Sequence, residues 1–153
     1  MIGLLSAVIC GSMFGVERKI RNKSAGLKTM ILICVGSAIY THLSMMFEGS
    51  DPLRVIGQIV TGIGFLGAGV IFQDRKDHIS GLTTAALIWL VAAIGILCGM
   101  GLGLFAVGLS AGLIILLAGI NWFERKMFPL SSGEAATAAR EADQKNAAEP
   151  ALN

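Results

Sequence analysis

Charge meets the end of a long apolar run at two notable places in this chain, Glu17-Arg18 and Asp51-Pro52-Leu53-Arg54. An ionisable side chain held inside a membrane bundle is expensive, so where it occurs it usually serves ion coordination, a proton relay or partner recognition. Glu17 closes the first apolar run and reads either as such a group or as a solvated loop charge. Asp51 and Arg54 open the third run. There a carboxylate against the positive end of a helix, followed by proline in the first turn, also makes a good structural start.

The uncharged polar candidates are Ser37, Gln58, Thr61, Thr83, Thr84 and Asn121, with His42 as the one ionisable group within the runs. Thr61 and Ser37 can bond back onto their own helix. Gln58 does so less easily and needs a partner if buried, either as glue between helices or in a functional role. Thr83 and Thr84 open the fourth run and read as N-terminal caps or as bonds to the third helix. His42, beside Tyr40, Thr41 and Ser44, reads as a structural hydrogen bonder at the membrane interface.

Several chemistries find no support. Magnesium takes oxygen ligands, commonly one or two carboxylates with retained water, and the apolar runs hold none apart from Glu17 at an edge. Cys10, Cys34 and Cys98 are widely spaced and form no CxxC pair. They read as small apolar side chains rather than a zinc site or disulfide framework. Gly62-Ile63-Gly64-Phe65-Leu66-Gly67 fits the spacing of a dinucleotide fingerprint, but that motif needs a strand before it and a helix opening at it in a soluble unit. No nucleophile stands by a base, so no catalytic residue, metal or cofactor is assigned.

The elements that carry these residues are apolar. The chain is 54% hydrophobic and 14% charged, against about 25% charged in a soluble domain. A net charge of +2 is too small for a nucleic-acid surface. Five runs stand out: Met1–Val16, Thr29–Phe47, Val55–Phe72, Leu82–Cys98 and Leu102–Trp122. All but the first reach the ~17–25 residues that span hydrocarbon. The first is short, rescued if Arg18 and Lys19 snorkel to the interface or if the natural start lies upstream.

Of the 12 Lys and Arg residues, all but Arg54 fall after the first, third or fifth run. The positive-inside rule then places the N-terminus outside and the C-terminus in the cytoplasm. The expectation is an all-α polytopic membrane bundle of five transmembrane helices in residues 1–125. Residues 126–153 follow as a cytoplasmic tail too poor in large apolar groups to bury a core.

Lipid gives helices no hydrophobic reason to associate, so small residues mark the contacts. In the fifth run Gly101, Phe105, Gly108, Gly112, Ile115 and Gly119 form one stripe. The third has two, Gly57-Thr61-Gly64-Ala68 and Gln58-Gly62-Phe65-Gly69, and Gly67 adds a fifth glycine. Small residues on two faces predict neighbours on both sides and a central third helix. Gly11/Gly15 and Gly95/Gly99 are further small-xxx-small pairs.

Several blocks, in order, carry a family resemblance. They are Gly15-Val16-Glu17-Arg18, then Lys23-Ser24-Ala25-Gly26-Leu27-Lys28-Thr29 with Gly36-Ser37-Ala38. Asp51-Pro52-Leu53-Arg54-Val55 follows, with the run Gln58 to Ile71 and Gly81-Leu82-Thr83-Thr84-Ala85-Ala86 with Trp89. Together they resemble the MgtC/SapB membrane proteins of bacteria over residues 11–120.

The resemblance implies a multi-pass protein of the bacterial inner membrane. Some relatives are tied to growth at low magnesium and to virulence, and the better-studied ones resemble regulators of other membrane complexes, including the rotary ATP synthase. Virulence members also carry a C-terminal ACT-like domain, for which residues 126–153 are too few. The expected function is a non-enzymatic regulator binding membrane partners or a second copy of itself. The alternative is a magnesium or other cation transporter or channel component.

Overall fold

The computed structural model describes residues 2–47, 49–72 and 81–127. They form α1 (Ile2–Ile20), α2 (Leu27–Met46), α3 (Pro52–Phe72), α4 (Leu82–Gly99) and α5 (Gly103–Met127), with no strand among the described residues. The apolar runs set the helices, and α2, α3, α4 and α5 are each long and apolar enough to cross a membrane. Together they make a multi-pass, all-helical membrane fold. The basic stretch at Arg75 and Lys76 and the tail expectation for residues 128–153 lie outside the described residues.

α1 continues one turn past its apolar run, so Glu17 and Arg18 are helical rather than part of a loop. The chain then reverses through Asn22, whose φ of 50° is left-handed. α3 begins where the sequence indicates. Asp51 Oδ1 accepts hydrogen bonds from the backbone N–H of Leu53 (3.1 Å) and of Arg54 (3.3 Å), and Pro52 occupies the first helical position. α5 runs past Trp122 to Met127.

The described residues fall into two units that divide within α5 after Ile114. In the first, α4 packs against α1, α2 and α3. Its sequence, LTTAALIWLVAAIGILCG, is apolar on every side, the pattern of a helix surrounded by protein. α1 and α2 are antiparallel, with Gly11 against Ile31 and Gly15 against Leu27. α2 and α4 are parallel, with Gly95 against Cys34 and Ser37 and Gly99 against Ala38 and Thr41. Phe14, Met30, Ile88, Val91 and Ile94 fill the core between them. Gly103, Ala106 and Ser110 of α5 are buried as well, Gly103 against Ser6 of α1.

The expected central position of α3 is corrected. Half of α4's span is buried but only 11% of α3's. α3 lies antiparallel to α4 through Ile63 and Gly67 and meets α2 only slightly. Small residues permit close approach but do not compel it, and among the described residues nothing approaches most of α3's glycines. In the second unit, the Asn121 amide bonds back to the Leu117 carbonyl, and Lys126 Nζ lies 5.0 Å from the Trp122 ring centre.

Candidate functional site

At the C-terminal end of α1 three side chains form one ionic corner. Arg18 donates to both Glu17 carboxylate oxygens, Nη2 to Oε1 at 2.8 Å, and Arg21 pairs with Glu17 one turn on. Arg18 is only 3% exposed, and its Nη1 has no hydrogen-bond partner among the described residues. Burial alone would raise the Glu17 carboxyl. Hydrogen bonding and charge from Arg18, then from Arg21, overcome it and hold the group below its ordinary range. Glu17 is thus neither a solvated loop charge nor a lone acid in the bundle. It is the counter-ion of a buried arginine, which the sequence did not single out as the more buried partner.

The candidates on α3 separate. Thr61 donates back to the Gly57 carbonyl at 3.0 Å, as expected of threonine in an apolar helix. Arg54 is exposed near the Asp51 cap. Gln58 lines a groove of about 660 Å³ between α2 and α3, with Ile88 of α4 also in its wall. Ser37 and Tyr40 of α2 line the same groove, as do Gly36 and Gly62. The groove exists because α3 leans on α4 and leaves α2 largely free of it.

Neither threonine at the start of α4 caps it. The N-cap is Gly81, without a side-chain cap, while Thr84 is buried and Thr83 exposed. Gly81 is required there because its φ is +90° and a Cβ would sit 2.9 Å from the Val70 carbonyl oxygen. His42 is exposed.

The packing glycines divide sharply. A Cβ at Gly67 would touch Ala85 Cβ at 3.6 Å, an ordinary contact. At Gly57, Gly62, Gly64, Gly69, Gly108 and Gly112 it would meet nothing within 4 Å among the described residues. The intrachain seams are made instead at Gly11, Gly15, Gly95 and Gly99. There a Cβ would lie 2.7 Å from Ile31 Cα, 2.7 Å from Leu27 Cα, 2.8 Å from Ser37 Cβ and 2.7 Å from Thr41 Cβ.

Cys10, Cys34 and Cys98 are all buried along these seams, on α1, α2 and α4. Only their burial, not their shared seam, was legible from spacing. Among the described residues no three His, Cys, Asp or Glu side chains are gathered so as to hold a metal ion.

The chain is similar to known proteins over most of its length. The chain is similar to Protein MgtC of Salmonella typhimurium, 45% identical over 120 residues, 78% of this chain and 51% of the relative. Protein MgtC of Salmonella typhi matches to the same extent. Protein MgtC of Brucella abortus is 48% identical over 100 residues, 65% of this chain and 42% of the relative. The chain spans about half the length of the curated relatives it matches. No solved structure matches it. The MgtC family matches residues 4–126, which takes in all of α2, α3 and α4, the ionic corner and the groove. By that match and these relatives, the chain belongs to the MgtC family.

Proposed function

We propose that this chain is a non-enzymatic regulator of the bacterial inner membrane that acts by helix-to-helix association with membrane-protein partners. The observation that carries the reading is the unoccupied small-residue side of α3. At about 100° per residue, Gly57, Thr61, Gly64 and Ala68 fall on one side of the helix, all exposed. Each glycine in a helix is about 1 kcal/mol less favourable than alanine. Lipid chains return none of that, whereas close packing against another helix does.

The ends of the apolar runs support regulation over transport. The Glu17 carboxylate is engaged by Arg18 and Arg21, and Asp51 by the α3 backbone. Both Glu17 oxygens are held by arginine, and Asp51 commits Oδ1 to the helix start. Family membership links the reading to magnesium homeostasis and virulence, with the ATP synthase or a second copy of the chain as partners to test.

The test is capture of detergent-solubilised complexes from cells grown at low and at high magnesium, comparing the wild-type chain with Gly64→Leu. Loss of the captured partners in the variant supports the reading. Equal capture, with the variant normally inserted, ends it.

A further inference from the structure

The α2–α3 groove has a polar patch at a depth where lipid offers no water. α2 rises ~30 Å over its length. Ser37 therefore lies near its middle, and Tyr40 about 9 Å from its C-terminal end. Gln58 lies about 9 Å into α3 from the same end of the bundle. The patch thus lies between the midplane and the interface on that side.

Ser37 is 5% exposed and lines the groove, and its hydroxyl, which makes no hydrogen bond among the described residues, is open to that groove rather than sealed in the core as Thr41 Oγ1 is. Gln58 and Tyr40, both exposed on the groove walls, make no side-chain hydrogen bond among the described residues either. All three can donate: two hydroxyls and a carboxamide N–H. Leaving such groups unpaired in hydrocarbon is unfavourable. Thr61, Ser44 and Ser110, by contrast, are satisfied by their own helices.

The rest of the groove selects the occupant. Among the described residues no ionisable group other than the Tyr40 phenol lines it, so no cation there pairs with a phosphate or a carboxylate. At about 660 Å³ it falls in the usual range for small-molecule sites. A helix about 10 Å across would fill roughly twice that volume over three turns. Gly36 and Gly62 leave the space between the walls unfilled, with nothing among the described residues within 4 Å of a Cβ at either. The groove continues along Leu32, Leu66 and Val70 as a mainly apolar channel, with Thr29 at its far end, suited to an alkyl tail.

We propose that this groove binds a neutral lipid, with a carbonyl-bearing head accepting hydrogen bonds from Ser37, Tyr40 and Gln58 and an apolar tail along α2 and α3. Such carbonyls occur in membranes on prenylated quinones and on diacylglycerols. The chemistry is shared, and the two sources are separated by experiment.

Purified full-length protein in phosphatidylcholine nanodiscs is titrated with decylubiquinone and, separately, with dioctanoylglycerol. Bound lipid is counted by native mass spectrometry. One of the two is expected to bind saturably, one molecule per chain. Affinity should fall about tenfold in the double variant Ser37→Ala/Gln58→Leu, the worth of two hydrogen bonds. Gly62→Leu fills the groove and should abolish binding. Gly64→Leu, on the side of α3 turned away from the groove, should bind as wild type.

Saturable binding of neither lipid overturns the proposal, as does binding indifferent to Gly62→Leu. If Gly62→Leu removes a protein partner while no neutral lipid binds, the groove belongs to a helix and the proposal fails. Should Gly62→Leu not fold, the double variant decides alone. Because Gly64→Leu tests partner association and Gly62→Leu tests lipid, either reading can fail without the other.

Discussion

In the α1–α2–α4 seam, Gly11, Gly15, Gly95 and Gly99 sit where any side chain would collide with a neighbouring helix. On α3, Gly57, Gly62, Gly64 and Gly69 sit where a side chain would meet nothing. Both regions show the same small-xxx-small pattern in sequence. The difference lies in what surrounds them. α1, α2 and α4 present small residues to each other at matched heights, so backbones meet. α3 matches α4 only around Ile63 and Gly67, and its remaining small faces turn outward. A glycine stripe therefore encodes permission for contact, and the partner that uses it can belong to the same chain or to another.

The strongest way to break this comparison is one substitution made in both regions. Gly95→Leu drives a branched side chain into the Ser37 Cβ and the Cys34 carbonyl. Overpacking of this kind, with backbone as the obstacle, should destabilise the bundle by about 3 kcal/mol or more. Gly64→Leu should cost the single chain nothing and, by helix propensity, gain up to about 1 kcal/mol. Thermal denaturation in mild detergent measures both. Equal losses would show that α3 is packed as tightly as α4.

The ionic corner gives the next largest effect. Glu17→Gln leaves the buried Arg18 with no carboxylate among the described residues. Removing one partner of a buried pair costs about 3–5 kcal/mol, and an exposed pair under about 1. With Arg18 buried and Glu17 partly exposed, a loss of about 2 kcal/mol is expected.

The same pair has a pH signature. The folded carboxyl lies below its unfolded value, so its contribution is present above the ordinary carboxylate range. It is lost as pH falls through the lowered folded value. Acid titration of detergent-solubilised protein should show a fall in stability for the wild type that Glu17→Gln lacks. Parallel curves would remove the corner from the stability of the fold.

Much of this was legible from residue types. Apolar length and the placement of Gly, Pro and charge gave five helices, with the start of α3 at Asp51-Pro52. Back-bonding by Thr61 followed from its chemistry. Two things were not legible. The order of the helices was hidden because glycine spacing is the same for a seam within the chain and for one left open. The groove was hidden because it arises from the lean of α3 on α4, which joins residues far apart in sequence. Arg18 was singled out with Glu17, but its burial and its shared counter-ion were not read and could have been. An Arg beside a Glu at the end of an apolar run, with a second Arg one turn beyond, is a pattern for a shared carboxylate.

The Asp51 cap tests the isolated character of α3 at smaller scale. Asp51→Ala removes an acceptor for two first-turn N–H groups and should cost about 1 kcal/mol. If α3 is weakly tied to the remainder, the loss should appear as early hydrogen exchange in α3 while α1, α2 and α4 stay protected. Uniform loss of protection across all four helices would mean that α3 unfolds only with the core.

The smallest expected effect is the most discriminating, because its sign differs between the regions. Gly64→Ala adds a methyl group in open space. It replaces the most flexible residue in a helix interior with the best helix former, so the single chain should gain up to about 1 kcal/mol. Gly99→Ala offers the same gain in propensity but places its methyl 2.7 Å from Thr41 Cβ and against the Ala38 carbonyl, so the net change should be a loss. Gly64→Ala should also weaken any association made through that face, because backbones would be held apart by one methyl. A chain made more stable alone and less able to associate would fit a glycine face kept for a partner. If the same substitution stabilised the chain with association unchanged, the outward glycines of α3 would have no role in contact.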